Sequence, residues 1–205
     1  LFGSELKALN NHPSLEGVID RNAVCLYLRH NSIPAPYSIY SGISKLLPGT
    51  LLNISYEDQN PKIVTYWSAA SAALESEEED FKFDKASLVD NLESLLSKTV
   101  KQQMLSDVPL GAFLSGGVDS STIVSLMQAQ STNKISTFTI GFNEEGYNEA
   151  KYAKNVANYL GTDHTELYVT ANEALKVIPD LPNIYDEPFS DSSQIPTILV
   201  SKLAS

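Results

Sequence analysis

The eight residues Leu114-Ser115-Gly116-Gly117-Val118-Asp119-Ser120-Ser121 constrain this 205-residue chain more than any other feature. An apolar run from Val108 to Leu114 precedes them, and a run of helical character from Ser120 to Gln130 follows. A buried strand, a glycine turn and a new helix would gather several backbone N–H groups around one small volume. Such a volume suits phosphate or pyrophosphate. Gly116 and Gly117 bring backbone close to a ligand without a Cβ in the way. Ser115, Ser120 and Ser121 add hydroxyl donors. Asp119 can hold magnesium, which reverses the repulsion that a bare carboxylate would exert on a triphosphate. The string is not a Walker A motif, because it lacks that glycine spacing and its lysine. A purely structural reading, in which glycine permits a turn and Ser120 caps a helix, stands beside the functional one.

The surroundings follow strand and helix periods. Leu110, Ala112, Phe113 and Leu114 predict a short buried strand, and Ile123, Val124 and Met127 one apolar helical face. Met127 reads as a packing residue. From Asp84 to Gln103, Leu88, Leu92, Leu95, Leu96 and Thr99 recur with helical spacing, while Asp90, Glu93 and Lys98 face water. Lys134 to Gly141 predicts a strand and Asn148 to Leu160 a helix ended by Gly161. Thr165 to Thr170 predicts another strand, with helices near Asn172 to Ile178 and Ile198 to Ala204. Successive strand–helix units predict a parallel α/β sheet with ligands near the strand C-termini.

The first segment, Leu1 to about Ala73, has a different character. Asp20 to Arg29 predicts a short helix with Val24, Leu28 and Cys25 turned inward. Pro34, Pro36 and Tyr37 favour an extended turn, and Pro48-Gly49 marks another. Thr50 to Ser55 and Lys62 to Trp67 predict two strands paired across the Asp58-to-Pro61 turn. No catalytic cluster is visible here, and the segment reads as the tail of another domain. Glu75-Ser76-Glu77-Glu78-Glu79-Asp80 reads as a solvated linker, placed at residues 74–83.

Charge and composition exclude several classes. The formal net charge is −11, and five of the negative charges lie in that acidic run. This disfavours a nucleic-acid-coating surface. No apolar stretch has the length of a bilayer span and no signal-like core follows a basic start, so a protein of the cytoplasm without membrane contact is expected. The single cysteine, Cys25, rules out an intrachain disulfide framework or a multi-cysteine metal site, and the three histidines form no zinc pattern.

The glycine string, in its setting, resembles the ATP-pyrophosphatase domain of the glutamine-dependent asparagine synthetase family. The likeness starts at Leu1-Phe2-Gly3-Ser4-Glu5-Leu6-Lys7-Ala8-Leu9, similar to the late part of that family's glutaminase domain. It continues through Tyr40 to Gly49, Tyr66-Trp67, Ser106 to Gly111, Thr137 to Phe142, Tyr159 to His164 and Asp186-Glu187-Pro188-Phe189. The resemblance implies an adenine nucleotide alpha hydrolase-like parallel sheet over residues 84–205. Before it, residues 1–73 would be the C-terminal part of an N-terminal-nucleophile glutaminase domain. It also implies ATP and magnesium as cofactors, with aspartate and glutamine or ammonia as substrates of the parent enzyme. The side-chain carboxylate would be adenylated and then attacked by ammonia, giving asparagine, AMP and pyrophosphate. A homodimer is compatible with the family.

By residue, the resemblance gives the nucleotide site to Leu114, Ser115, Gly116, Gly117, Val118, Asp119, Ser120, Ser121 and Ile140, with Asp119 also the magnesium ligand. Leu114 and Ile140 would lie near adenosine at the ends of neighbouring strands, or serve the core alone. Asp119, Asp186 and Glu187 are the catalytic candidates, and Asp191 is a weaker one. The run Asp186 to Ser193 also reads as a solvated acidic turn. His164, beside Asp163, could orient a group or simply pack in a turn. Cys25 is expected to be a buried structural thiol, because the family's glutaminase nucleophile is an N-terminal cysteine and this chain starts with Leu1. The chain therefore reads as an internal fragment, incomplete for catalysis and unable to hydrolyse glutamine. The rival readings are an ATP-dependent amidotransferase acting on another carboxylate, β-lactam formation included, and a noncatalytic ATP-binding protein.

Overall fold

The computed structural model describes residues 1–77, 84–143 and 148–205. In chain order the elements are α1 (Leu6–Asn10), α2 (Arg21–His30), β1 (Thr50–Asn53), β2 (Lys62–Thr65), α3 (Ala69–Glu77) and α4 (Lys85–Gln103). They continue with β3 (Gly111–Phe113), α5 (Val118–Gln130), β4 (Ser136–Phe142), α6 (Ala150–Leu160), β5 (Asp163–Val169), α7 (Ala171–Leu175), α8 (Leu181–Ile184) and α9 (Gln194–Ala204). Two compact units result. One comprises Leu1–Lys82 with Asp180–Asp191, the other Phe83–Pro179 with Ser192–Ser205. The predicted linker at 74–83 begins inside α3, and its residues 78–83 lie outside the described residues.

In the first unit, α2 starts where the Asp20 carboxylate accepts a hydrogen bond from the Asn22 N–H at 2.8 Å. It ends at Asn31 in the left-handed region, φ 59°, after Arg29 and His30 in its last turn. Ala23, Ile33 and Ile39 form a small core, flanked by Leu6, Val24, Tyr27 and Tyr40. Cys25 was expected inside and is exposed instead, as is Leu28. The helix turns Ala23 to the core, and Cys25 then falls about 200° and Leu28 about 140° away around the axis. Strands β1 and β2 pair antiparallel with Thr50 opposite Thr65, as the turn at Asp58 to Pro61 predicts.

The second unit is a parallel sheet of order β3-β4-β5. Helix α5 links β3 to β4, and α6 links β4 to β5, the βα succession read from the periodicity. Leu114, Val124, Ala153 and Ala157 pack into one core cluster; Val100, Met127 and Ile135 form another. Met127 packs as expected. Helix α4 runs from its Asp84 cap to Gln103, but only Val100 on it is buried. The expected inward leucines Leu88, Leu92 and Leu95 are exposed, because α4 meets this core at its C-terminal end alone. Strand β5 begins two residues earlier than the pattern predicts, which places His164 on a strand rather than in a turn.

Candidate functional site

The turn after β3 is built by one backbone constraint. Leu114 extends the pairing of β3, its N–H donating to the Phe138 carbonyl at 2.9 Å, and is almost fully buried. Gly116 then takes φ +80°, in the region that disfavours any side chain with a Cβ. A Cβ there would also lie 2.6 Å from the Ala153 backbone nitrogen, so α6 closes down on the turn. Gly117, not Ser120, is the N-cap of α5, and no side chain caps that end. The first intrahelical bond runs from the Ser121 N–H to the Gly117 carbonyl at 3.0 Å. The N–H groups of Val118, Asp119 and Ser120 precede it and have no intrahelical acceptor.

The hydroxyls gather at the same end. Ser115 Oγ and Ser120 Oγ are 2.9 Å apart, and the Gly117 N–H donates to Ser115 Oγ at 3.3 Å. Ser121 Oγ is buried with no hydrogen-bond partner. Asp119 projects from the exposed first turn, where a carboxylate is favoured by the helix dipole. An uncapped helix start, a turn with no space for a Cβ and an orphaned buried hydroxyl together fit a phosphate chain. Among the described residues no group of three or more His, Cys, Asp or Glu side chains could hold a metal ion by itself. A magnesium ion at Asp119 would therefore take its other ligands from phosphate oxygens and water, its usual company at nucleotide sites.

Beside this turn lies a pocket of about 860 Å³ at the C-terminal ends of β3 and β4. Leu114, Ser115 and Ile140 line it, together with Phe138, Phe142 and Pro196. Its volume is that of a site for a whole small-molecule ligand rather than a single ring, and its mainly apolar wall, with a few polar groups such as Ser115, Thr139 and Glu149, suits a nucleoside. The structure thus brings Leu114, Ser115 and Ile140 to one cavity, next to Gly116–Ser121. Leu114 does double duty, since it also belongs to the core cluster with Val124 and Ala153.

Part of the wall was missed in the sequence. Ala171, Ala174 and Leu175 of α7 and Ile195, Thr197 and Val200 of α9 line the pocket, as does Glu149 at the start of α6. The α7 boundary had a readable signal, the Thr170…Glu173 capping box, whose two halves both form. Nothing in the sequence told which helices would cover the strand ends.

Asp186 and Glu187 belong to the first unit, not to the sheet unit that carries the pocket. Asp186 Oδ2 accepts from the Leu6 N–H at 2.6 Å, and Lys7 Nζ lies 3.2 Å from its Oδ1. Glu187 accepts from the Ile39 N–H at 2.7 Å and pairs with Lys45. His164 sits on β5, its Nδ1 2.9 Å from Thr137 Oγ1, with Nε2 buried and unpartnered. Burial holds this imidazole below its ordinary pKa, the nearby Lys154 adding to the effect and Glu166 opposing it. Glu166, paired with Lys154 at 2.8 Å and bonded by Tyr168 Oη at 3.0 Å, is held below the usual carboxylate value chiefly by that lysine.

Comparison with known proteins gives two family matches: asparagine synthase over residues 91–205 and the glutamine amidotransferase domain over residues 1–67. A Methanocaldococcus jannaschii protein carrying the provisional name asparagine synthetase [glutamine-hydrolyzing] 2 is 38% identical over 100% of this chain and 39% of its own length. Asparagine synthetase [glutamine-hydrolyzing] 1 of Bacillus subtilis is 32% identical over 99% of the chain and 30% of its own length. A rice relative, asparagine synthetase [glutamine-hydrolyzing] 2, is 36% identical over 44% of the chain and 16% of its own length. The chain thus spans roughly a third of the first two relatives.

Proposed function

Because the chain belongs to the glutamine-dependent asparagine synthetase family, we propose that its protein makes asparagine from aspartate, with ATP cleaved to AMP and pyrophosphate. The observation that carries this reading is the pairing of an uncapped α5 N-terminus with a mainly apolar pocket, large enough for a nucleoside, at the ends of β3 and β4. In this proposal Leu114 and Ile140 flank the adenine. Ser115, Gly116, Gly117, Val118, Ser120 and Ser121 surround the pyrophosphate through N–H and hydroxyl groups. Asp119 holds magnesium, whose charge would be offered to the phosphate oxygens.

The chemistry required of these residues is mainly positioning. The aspartate carboxylate must meet the α-phosphorus in line with the departing pyrophosphate. Fixed donors at the α5 start bind that leaving group more tightly as its charge develops. Ammonia then attacks the adenylated carboxyl carbon and AMP leaves. Ammonia would come from glutamine through the amidotransferase part, of which this chain carries residues 1–67. A cytoplasmic location, where ATP and both amino acids are abundant, accompanies this proposal. Among the described residues no helix is long and apolar enough to cross a membrane.

Product analysis of the full-length protein tests the reading. With ATP, magnesium, aspartate and ammonia, AMP, pyrophosphate and asparagine should appear in equal amounts. ATP bound without aspartate-dependent AMP would leave a noncatalytic nucleotide binder. AMP formed only with a different acid would make it an amidotransferase for that acid.

A further inference from the structure

The segment Asp180–Asp191 folds with the first unit although both of its flanks, Phe83–Pro179 and Ser192–Ser205, belong to the second. Its anchoring is extensive. Lys7 Nζ donates to the Ile184 carbonyl at 2.7 Å and pairs with Asp186, whose other oxygen takes the Leu6 N–H. Glu187 takes the Ile39 N–H and the Lys45 ammonium, and that ammonium also donates to the Ile33 carbonyl at 2.7 Å. The Ser190 N–H donates to the Asn31 carbonyl at 2.7 Å. Between these points, Pro188 fixes its own φ and Phe189 meets Tyr185 edge to face at 4.7 Å.

Both carboxylates are thus engaged by backbone N–H groups and lysines far away in sequence, and both are largely buried. Charge-assisted bonds of this kind hold geometry more firmly than exposed ion pairs do. Immediately after the segment, Ser192 and Ser193 line the nucleotide pocket, and α9 continues its wall with Ile195, Pro196, Thr197 and Val200. Five peptide links separate Glu187 from Ser192. The last of these anchors, at the Ser190 N–H, lies two peptide links before Ser192, so the pocket wall and the anchored segment are joined through the chain itself.

Building on the nucleotide reading, we infer that Asp180–Asp191 is a strap coupling occupancy of the pocket to the first unit, with Asp186 and Glu187 as its positioning residues. Neither carboxylate needs to touch a reacting atom in this role. The segment that orders the backbone at Leu6 and Ile39 runs directly into Ser192 and Ser193, which line the pocket.

Hydrogen–deuterium exchange of the full-length protein, with and without magnesium–ATP, tests the coupling. ATP should protect residues 113–121 and 192–200, and also slow exchange across residues 36–46 at least about threefold. Lys45→Met should keep the first protection, lose that at 36–46, and still form AMP with ammonia; Lys45→Arg should restore the coupling. Protection of 113–121 with no change at 36–46 in the unaltered protein would overturn the strap and leave the nucleotide reading intact. No protection at 113–121 would overturn the nucleotide reading and the strap together. Loss of ammonia-dependent AMP formation in Asp186→Asn or Glu187→Gln, with ATP protection at both regions unchanged, would make these carboxylates catalytic rather than positioning.

Discussion

Gly116 and Ala153 leave no room between them: the backbone nitrogen of Ala153, in the first turn of α6, occupies the space that a side chain at Gly116 would need. The turn is held by a helix that starts more than thirty residues later in the chain. Gly116→Ala combines this clash with a positive φ, so it should cost at least about 1–2 kcal/mol. Thermal melts measure that loss, and calorimetric titration should show ATP binding lost as well. An unchanged melting temperature would mean that the turn is not built as described.

Leu114 should be the most costly pocket residue to truncate. It is 1% exposed and packs on Val124, Ala153 and Ala157. Leu114→Ala should cost about 2–5 kcal/mol in denaturant melts, because the cavity adds to the lost burial. A loss of ATP affinity with stability intact would assign Leu114 to the adenine alone.

Ser121 should behave in the opposite way. Its buried hydroxyl has no partner in the structure, so removing it sacrifices no protein hydrogen bond. Ser121→Ala should leave the melting temperature unchanged or raised, while weakening magnesium–ATP binding by roughly five- to tenfold, the worth of one hydrogen bond. Equal affinities for the two proteins, measured by titration, would remove Ser121 from the site.

Asp119 is exposed, and the fold does not depend on it beyond its place in the first turn of α5. Asp119→Asn should cost no more than about 1 kcal/mol of stability from the lost dipole interaction. Magnesium should then no longer enhance ATP binding. The check is to repeat the titration over a range of magnesium concentrations. A magnesium dependence like that of the unaltered protein would place the metal ligand elsewhere.

His164 gives the protein a pH dependence. Its folded pKa is depressed from 6.5 by burial, so the neutral imidazole favours the folded state. This contribution is fully present above the unfolded value and is lost as pH falls through the folded one. Melting temperature should therefore decline below about pH 6.5, and His164→Gln should flatten the decline. Glu166 has a lowered value too, starting from 4.5, so its own contribution fades only at still lower pH. Identical profiles for the two proteins between about pH 7 and pH 5 would show that His164 is solvated and uninvolved.

Local sequence determined the elements. The spacing of Ile123, Val124 and Met127, the Asp20 and Asp84 caps, and Gly161 in the left-handed region set helix identity and ends. Strand β4, paired on both edges, alternates between half-buried and buried residues along its whole length, so one face of the sheet is covered more fully than the other. The glycine string, too, announced a turn into a helix N-terminus, since only glycine takes φ +80° at Gly116 without strain. These are nearest-neighbour properties of the backbone, and a sequence states them directly.

Which way each element faces was decided by the tertiary structure. Cys25 and Leu28 lie on an apolar helix yet point outward, because Ala23 and Tyr27 meet Ile33 and Ile39 first. The leucines of α4 obey helical spacing and remain exposed, because the core touches only the Val100 end. Asp186 and Glu187 cluster in the sequence, but the backbone groups that hold their carboxylates, at Leu6 and Ile39, lie 180 and 148 residues away. Periodicity and motif spacing act over a turn or a strand, whereas burial and charge pairing depend on which distant segments arrive beside them. The sequence by itself therefore determined the glycine turn and the start of α5; the three-dimensional fold alone supplied the wall of the neighbouring pocket and the anchors of Asp186 and Glu187.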